Sequence, residues 1–123
     1  MSAERTTPSL GPLETQVIHI LWDHGALTIR EIIGHLPGDP AYTTIATVLR
    51  HLDGKHMVSA VKEGRSTRFT ARLNREAYTA EVMDQALEAS RNRTASILHF
   101  VDAMGEDDRE LLRDYLRNQE GRP

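Results

Sequence analysis

Residues 41–52 read Ala-Tyr-Thr-Thr-Ile-Ala-Thr-Val-Leu-Arg-His-Leu, and two patterns run through them at once. Ile45, Val48, Leu49 and Leu52 fall at i, i+3, i+4 and i+7, the spacing of a single apolar stripe on an α-helix. At ~100° per residue, Thr43, Thr47 and Arg50 point nearly opposite that stripe, and Thr44, Ala46 and His51 flank it. The outward face is therefore small, hydroxylated and cationic, with no acid before Asp53. The pattern predicts a helix from about Tyr42 to Asp53, stopped by Gly54.

Upstream, Pro37-Gly38-Asp39-Pro40 separates this helix from a shorter one, because proline denies a backbone donor and disfavours helix in the preceding residue. The shorter helix starts at Ile29 under a Thr28-x-x-Glu31 capping box and carries Ile29, Ile32, Ile33 and Leu36 on one face. A first helix opens at Gly11-Pro12, where a first-turn proline loses nothing. Its predicted core stripe is Leu13, Val17, Ile20 and Leu21, with Trp22 near its end and Gly25 as a left-handed cap. Residues 1–9 are polar and expected to be flexible. Downstream, Val58–Lys62 and Thr67–Ala71 are β-compatible runs joined by the glycine-containing tip Glu63-Gly64-Arg65-Ser66. Alternation sends Val58 and Phe69 inward and Arg68 outward, and Lys62, Arg65 and Arg68 crowd the tip and exposed edge.

Helix, helix, helix, hairpin within residues 10–73 is the layout of a winged helix-turn-helix, so the expected fold is mainly α with a small β-hairpin wing. In such modules the third helix enters the major groove of DNA and the wing reaches backbone or minor groove. A groove ~12 Å wide admits one helix whose outward face is neither bulky nor acidic. Thr43, Thr44, Ala46 and Thr47 permit close approach, and Arg50 is long enough to fork onto guanine or a phosphate; His51 lies beside them. Lys62, Arg65 and Arg68 suit phosphates or a narrow minor groove. Thr28, at the start of the second helix, places backbone amides where a phosphate could meet them.

Charge supports that reading only when sorted by position. The net charge is −3, which advertises no nucleic-acid partner. Residues 50–72, however, hold six basic side chains against Asp53 and Glu63 alone, while residues 74–123 hold seven basic against eleven acidic. Cysteine is absent, which excludes disulfide frameworks, cysteine zinc sites and iron–sulfur clusters and fits a reducing cytoplasm. The six histidines at 19, 24, 35, 51, 56 and 99 show no ligand spacing, so neither a metal, a cofactor nor catalysis is expected. No run approaches the ~20 apolar residues of a membrane span, and residues 1–5 lack the apolar core of a secretory signal.

Residues 74–123 predict three amphipathic helices. The fourth, capped by Asn74, reaches about Arg91 and carries Tyr78, Val82, Met83, Ala86 and Leu87; after a polar stretch at 91–95, the fifth presents Ile97, Leu98, Val101 and Met104. Gly105 breaks it, and Asp107-Asp108-Arg109-Glu110 starts a sixth with Leu111, Leu112, Tyr115 and Leu116 as its stripe. Such helices are too small to enclose a core alone. They either pack back on the winged helix or mate in a symmetric dimer, with Tyr78, Val82, Ile97, Leu98, Val101, Leu112, Tyr115 and Leu116 as candidate interface residues.

Four stretches resemble the penicillinase-repressor (BlaI/MecI) family: Leu-Gly-Pro-Leu-Glu-Thr-Gln-Val-Ile-His-Ile-Leu-Trp-Asp-His-Gly (10–25), Leu-Thr-Ile-Arg-Glu-Ile (27–32), the run at 41–52, and Gly-Arg-Ser-Thr-Arg-Phe (64–69). The resemblance covers residues 10 to about 117. It implies a dimeric repressor of palindromic operators, with Thr43–Leu52 as recognition helix, Lys62–Arg68 as wing and the C-terminal helices as dimer interface. It also implies release when a membrane-bound zinc metalloprotease sensor triggers cleavage in the C-terminal region. The family's cleaved bond, best known as Asn-Phe, falls on His99-Phe100, and Phe100, between Leu98 and Val101, is expected to be buried. Histidine stands here in place of asparagine, and the cysteine metal motifs of a copper-responsive branch are absent. The residues leave two other readings open: a winged-helix repressor released by a small-molecule ligand, and a winged-helix adaptor that binds protein.

Overall fold

Eight elements follow one another in a computed structural model that describes residues 9–121. The helices are α1 (Pro12–His24), α2 (Ile29–Gly34) and α3 (Tyr42–Gly54), then α4 (Arg75–Ala89), α5 (Arg93–Ala103) and α6 (Glu106–Glu120); between the two sets lie strands β1 (Val58–Glu63) and β2 (Ser66–Ala71). Of the expected flexible segment 1–9, all but Ser9 lies outside the described residues. No helix among the described residues is long and apolar enough to cross a membrane. The chain forms two compact units, Met1–Val82 and Met83–Pro123, and the division falls inside α4.

In the first unit, α3 behaves as its stripe requires: Ile45, Val48, Leu49 and Leu52 are all buried. They pack with Ile32 and Leu36 from α2 and its C-terminal turn, Met57 and Val58 from the start of the wing, and Val17, Ile18 and Leu21 from α1. The predicted α1 stripe is therefore half right. Leu13 and Ile20 are only partly buried, while Ile18 and Glu14 share the buried face with Val17 and Leu21. A carboxylate belongs there because Lys55 Nζ reaches both Glu14 oxygens, at 2.8 and 3.0 Å, and the Gly11 amide donates to Oε1 at 2.7 Å. Burying a charge is costly unless it is paired and hydrogen-bonded, and this one is both. The Lys55 hydrogen bond holds the Glu14 carboxyl below the usual glutamate range, against the opposing effect of burial.

Helix ends show where local chemistry won. Thr28 and Glu31 form the reciprocal cap, with Glu31 N to Thr28 Oγ1 at 3.2 Å and Thr28 N to Glu31 Oε1 at 2.9 Å. Gly25 takes φ 84° and ψ −146°, a positive-φ conformation outside the left-handed helical region expected of it and accessible mainly to glycine. Gly54 does not stop α3 but forms its last residue; the reversal comes at His56, which adopts φ 60° while the Met57 amide closes onto Leu52 O at 2.9 Å.

The wing is an antiparallel pair in the register Val58↔Ala71, Ala60↔Phe69 and Glu63↔Ser66. That leaves Gly64-Arg65 as a two-residue turn. Gly64 carries φ 61° and Arg65 is not in the positive-φ region, the combination a type II′ hairpin turn requires. Leu27 adds an isolated bridge beside β2: its amide donates to Phe69 O at 3.1 Å, and its carbonyl accepts from the Phe69 amide at 2.8 Å. The chain beyond the wing is tied back to α1, with Trp22 Nε1 donating to Leu73 O at 2.7 Å and Arg75 pairing with Asp23 at 2.8 Å. The Tyr78 ring then packs 5.6 Å from Trp22.

The second unit has no counterpart to this core. None of α4, α5 or α6 contains a buried residue. Helix α4 ends at Ala89, short of the predicted Arg91, and α5 begins at Arg93 inside the stretch read as a polar connection. The reason is Asn92, whose side chain accepts from the Ala95 amide at 3.0 Å and caps α5. Arg93 pairs with Asp84 at 3.0 Å, and Ser90 and Ser96 hydroxyls meet at 2.6 Å.

Candidate nucleic-acid interface

Opposite its buried stripe, α3 presents Thr43, Thr44 and Arg50 to solvent, Ala46 and Thr47 half-exposed, and His51 exposed near its C-terminus. Arg50 makes no ion pair among the described residues, so Asp53, a few residues on, does not consume it. On the wing, Lys62 and Arg65 are likewise exposed and unpaired by carboxylates among the described residues.

Arg68 is different. Its Nε donates to Glu63 Oε1 at 3.1 Å, and its Nη1 to Glu31 Oε1 at 3.0 Å and Ala26 O at 3.3 Å. The guanidinium predicted to point outward is thus spent tying the wing to the start of α2. Leu27 pairing beside β2 brings Glu31 within its reach. Glu31 is held below the usual glutamate range, first by the Thr28 amide and then by the Arg68 charge. Thr28, in turn, is fully engaged in the cap: its amide and that of Glu31, two donors expected to be available to a phosphate, are both taken.

The basic window therefore splits. Of its six basic side chains, Lys55 and Arg68 are neutralised by Glu14, Glu31 and Glu63, while Arg50, Lys62, Arg65 and Arg72 have no carboxylate partner among the described residues. Two residues that the sequence did not single out join the surface. Arg30, on α2, lies over the Tyr42 ring at 5.6 Å from its centroid. Both line a cleft of about 350 Å³ between the starts of α2 and α3 and the wing, together with Thr28, Ile29, Arg65, Ser66, Thr67 and Phe69. Arg30 is a lone cation on an amphipathic helix; its stacking across two elements leaves no trace in spacing.

The remaining predicted residues lie in or near the C-terminal helices. Val82, Ile97, Leu98, Leu112, Tyr115 and Leu116 are exposed and Val101 is half-buried, whereas Tyr78 is occupied against Trp22 in the first unit. Phe100 is 55% exposed, not buried as expected, because its neighbours on α5 have no core to turn toward. His99 beside it is exposed too. Leu111, at 70%, is the most exposed of the large apolar side chains among the described residues. His24 and His35, which stand at the ends of α1 and α2, stack at 3.9 Å. No group of three or more potential metal ligands exists among the described residues.

Three helices, a two-stranded wing and an outer face on the third helix with no acid before Asp53 define a winged helix-turn-helix regulator. A family model described as penicillinase repressor matches residues 10–118, and the chain belongs to that family of transcriptional repressors. It is 35% identical over 117 residues to the transcriptional regulator BlaI of Mycobacterium tuberculosis (strain H37Rv), an alignment covering 90% of this chain and 85% of that protein. The solution structure of the DNA-binding domain of the repressor BlaI superposes with a TM-score of 0.51 at 26% identity, covering 57% of this chain and 88% of that one. A MarR family protein from Bacillus stearothermophilus shares the fold over 92% of this chain and 74% of its own, at TM-score 0.51 and 15% identity.

Proposed function

We propose that the chain is a dimeric cytoplasmic repressor that binds a palindromic operator, one half-site per winged helix. The observation that carries the reading is the outer face of α3: Thr43, Thr44, Ala46, Thr47 and Arg50, small or cationic, with no carboxylate among the described residues drawing Arg50 away. Threonine methyls can meet thymine methyls, threonine hydroxyls can meet bases or phosphates, and the Arg50 guanidinium can fork onto guanine. His51 flanks that contact, and Lys62 and Arg65 supply phosphate contacts from the wing. Thr28 contributes by holding the start of α2, and Arg68 by holding the wing. Membership in the penicillinase repressor family and likeness to a DNA-binding domain support the same reading.

The C-terminal helices form the dimer in this reading, through Val82, Ile97, Leu98, Val101, Leu112, Tyr115 and Leu116. Linking two half-site readers raises the effective concentration of the second once the first is bound, worth ~10²–10⁴ in affinity. Cutting or parting these helices then releases the operator, and the exposed His99-Phe100 bond in α5 is the proposed target of a membrane-bound metalloprotease sensor. The test is titration of duplex DNA across salt concentrations. The slope of log affinity against log salt is expected to report several neutralised phosphates, and Arg50→Ala is expected to lose ~1–3 kcal/mol of operator discrimination. Absent or salt-insensitive duplex binding overturns the reading in favour of a protein adaptor; release by a small molecule with the chain intact overturns the proteolytic switch.

A further inference from the structure

We infer that the cleft between α2, the start of α3 and the wing is a backbone clamp that seats one phosphodiester of the bound strand, with Arg30 as its principal arm and Tyr42 as the residue that positions it. The inference deepens the operator-binding reading and rests on it. The cleft, of about 350 Å³, is open: Arg30, Arg65, Ser66 and Thr67 offer it two guanidinium groups and two hydroxyls, and the Tyr42 ring forms part of its wall. That is the donor set a phosphate takes, and a guanidinium fork matches phosphate oxygens bidentately. Arg30 is exposed and has no carboxylate partner among the described residues. Its immediate neighbour Glu31 would cancel it, but that carboxylate is already committed to the Thr28 amide and to Arg68 Nη1 at 3.0 Å. Arg68 therefore acts on DNA indirectly: by neutralising Glu31 it leaves the cleft positive. The Tyr42 ring, 5.6 Å from the Arg30 guanidinium carbon, limits the conformations of an otherwise flexible side chain.

Position distinguishes this role from that of Arg50. A phosphate contact carries no sequence information, so its loss weakens all duplexes alike, whereas the loss of a base contact relaxes discrimination. The experiment compares wild type, Arg30→Ala, Tyr42→Ala, Tyr42→Phe and the Arg30→Ala/Tyr42→Ala double variant on operator and on random duplex. The salt range is about 50 to 200 mM, and far-UV circular dichroism and a thermal melt control for folding. Arg30→Ala is expected to weaken both duplexes by the same factor, roughly tenfold per half-site. The salt slope should become shallower by about 0.9 per half-site. Tyr42→Phe should match wild type, and Tyr42→Ala should weaken binding in the wild-type background but add nothing to Arg30→Ala. Unchanged affinity and slope in Arg30→Ala, with wild type binding normally, overturns the clamp alone. Loss of discrimination with unchanged random-duplex binding overturns it in favour of base reading. An equal Tyr42→Ala loss in both backgrounds overturns the positioning role, and a wild type that binds no duplex overturns the repressor reading and the clamp with it.

Discussion

Helices α1 and α6 pose the same problem and meet different fates. Each carries an apolar stripe at helical spacing, but α1 buries Val17, Ile18 and Leu21 against α3, α2 and the wing, while α6 leaves Leu111, Leu112, Tyr115 and Leu116 in solvent. Among the described residues, the eleven buried apolar side chains of the core all belong to the first unit. A stripe specifies a helix; only an opposing surface turns it into stability. The winged helix finds that surface within its own chain. The C-terminal helices contain no buried residue, and in the proposed dimer a second copy covers them.

The largest test of this contrast replaces Leu112 and Leu116 together with aspartate. Monomers on a sizing column and an operator affinity lower by ~10²–10⁴ are expected, with the winged-helix melt unmoved; persistent dimers would break the comparison. Next comes a paired truncation. Ile45→Ala, in the core, is expected to cost about 2–5 kcal/mol in urea unfolding, whereas Leu111→Ala should stay within about 0.5 kcal/mol in the monomeric background. Similar costs at the two sites would show that α6 is packed after all.

Two smaller tests sharpen the description of the first unit. Lys55→Met leaves the Glu14 carboxylate buried without its partner, at an expected cost of about 1–3 kcal/mol near neutral pH. Because pairing lowers the Glu14 pKa in the folded state, the stabilisation is present above the unfolded carboxylate value of about 4.3 and fades as pH falls through the folded one. Wild type and variant should therefore converge in acid, and a gap that persists there would assign the effect to Lys55 packing instead. The smallest is His56→Gly. Relieving a side chain at φ 60° is expected to raise stability by roughly 0.5–1 kcal/mol in the same unfolding assay, since a left-handed non-glycine residue costs about 1–2 kcal/mol and part returns as unfolded-state entropy. A loss of stability would mean that the imidazole makes a compensating contact.

Most of the fold was legible because its determinants are local. The α3 stripe, the Thr28–Glu31 cap and the two-strand alternation each need fewer than ten residues of context, and all appear where the spacing puts them. What escaped depended on partners distant in sequence. Glu14 could be placed in the buried face of α1 only by knowing that Lys55, 41 residues on, would reach it. Alternation correctly sent Arg68 away from Phe69, but not into the arms of Glu31, which requires Leu27 to pair beside β2. The same blindness applies to Phe100: apolar neighbours in sequence imply burial only if another surface exists to press upon them.

The two hydrogen bonds between Leu27 and Phe69, at 2.8 and 3.1 Å, join the wing to the turn before α2 as firmly as one strand to another. Helix and wing thus behave as the jaws of a caliper locked at one opening. The entropy of holding them apart is lost during folding, not at the moment of contact. In the proposed complex, a half-site would then meet a helix and a wing whose separation is set before DNA arrives.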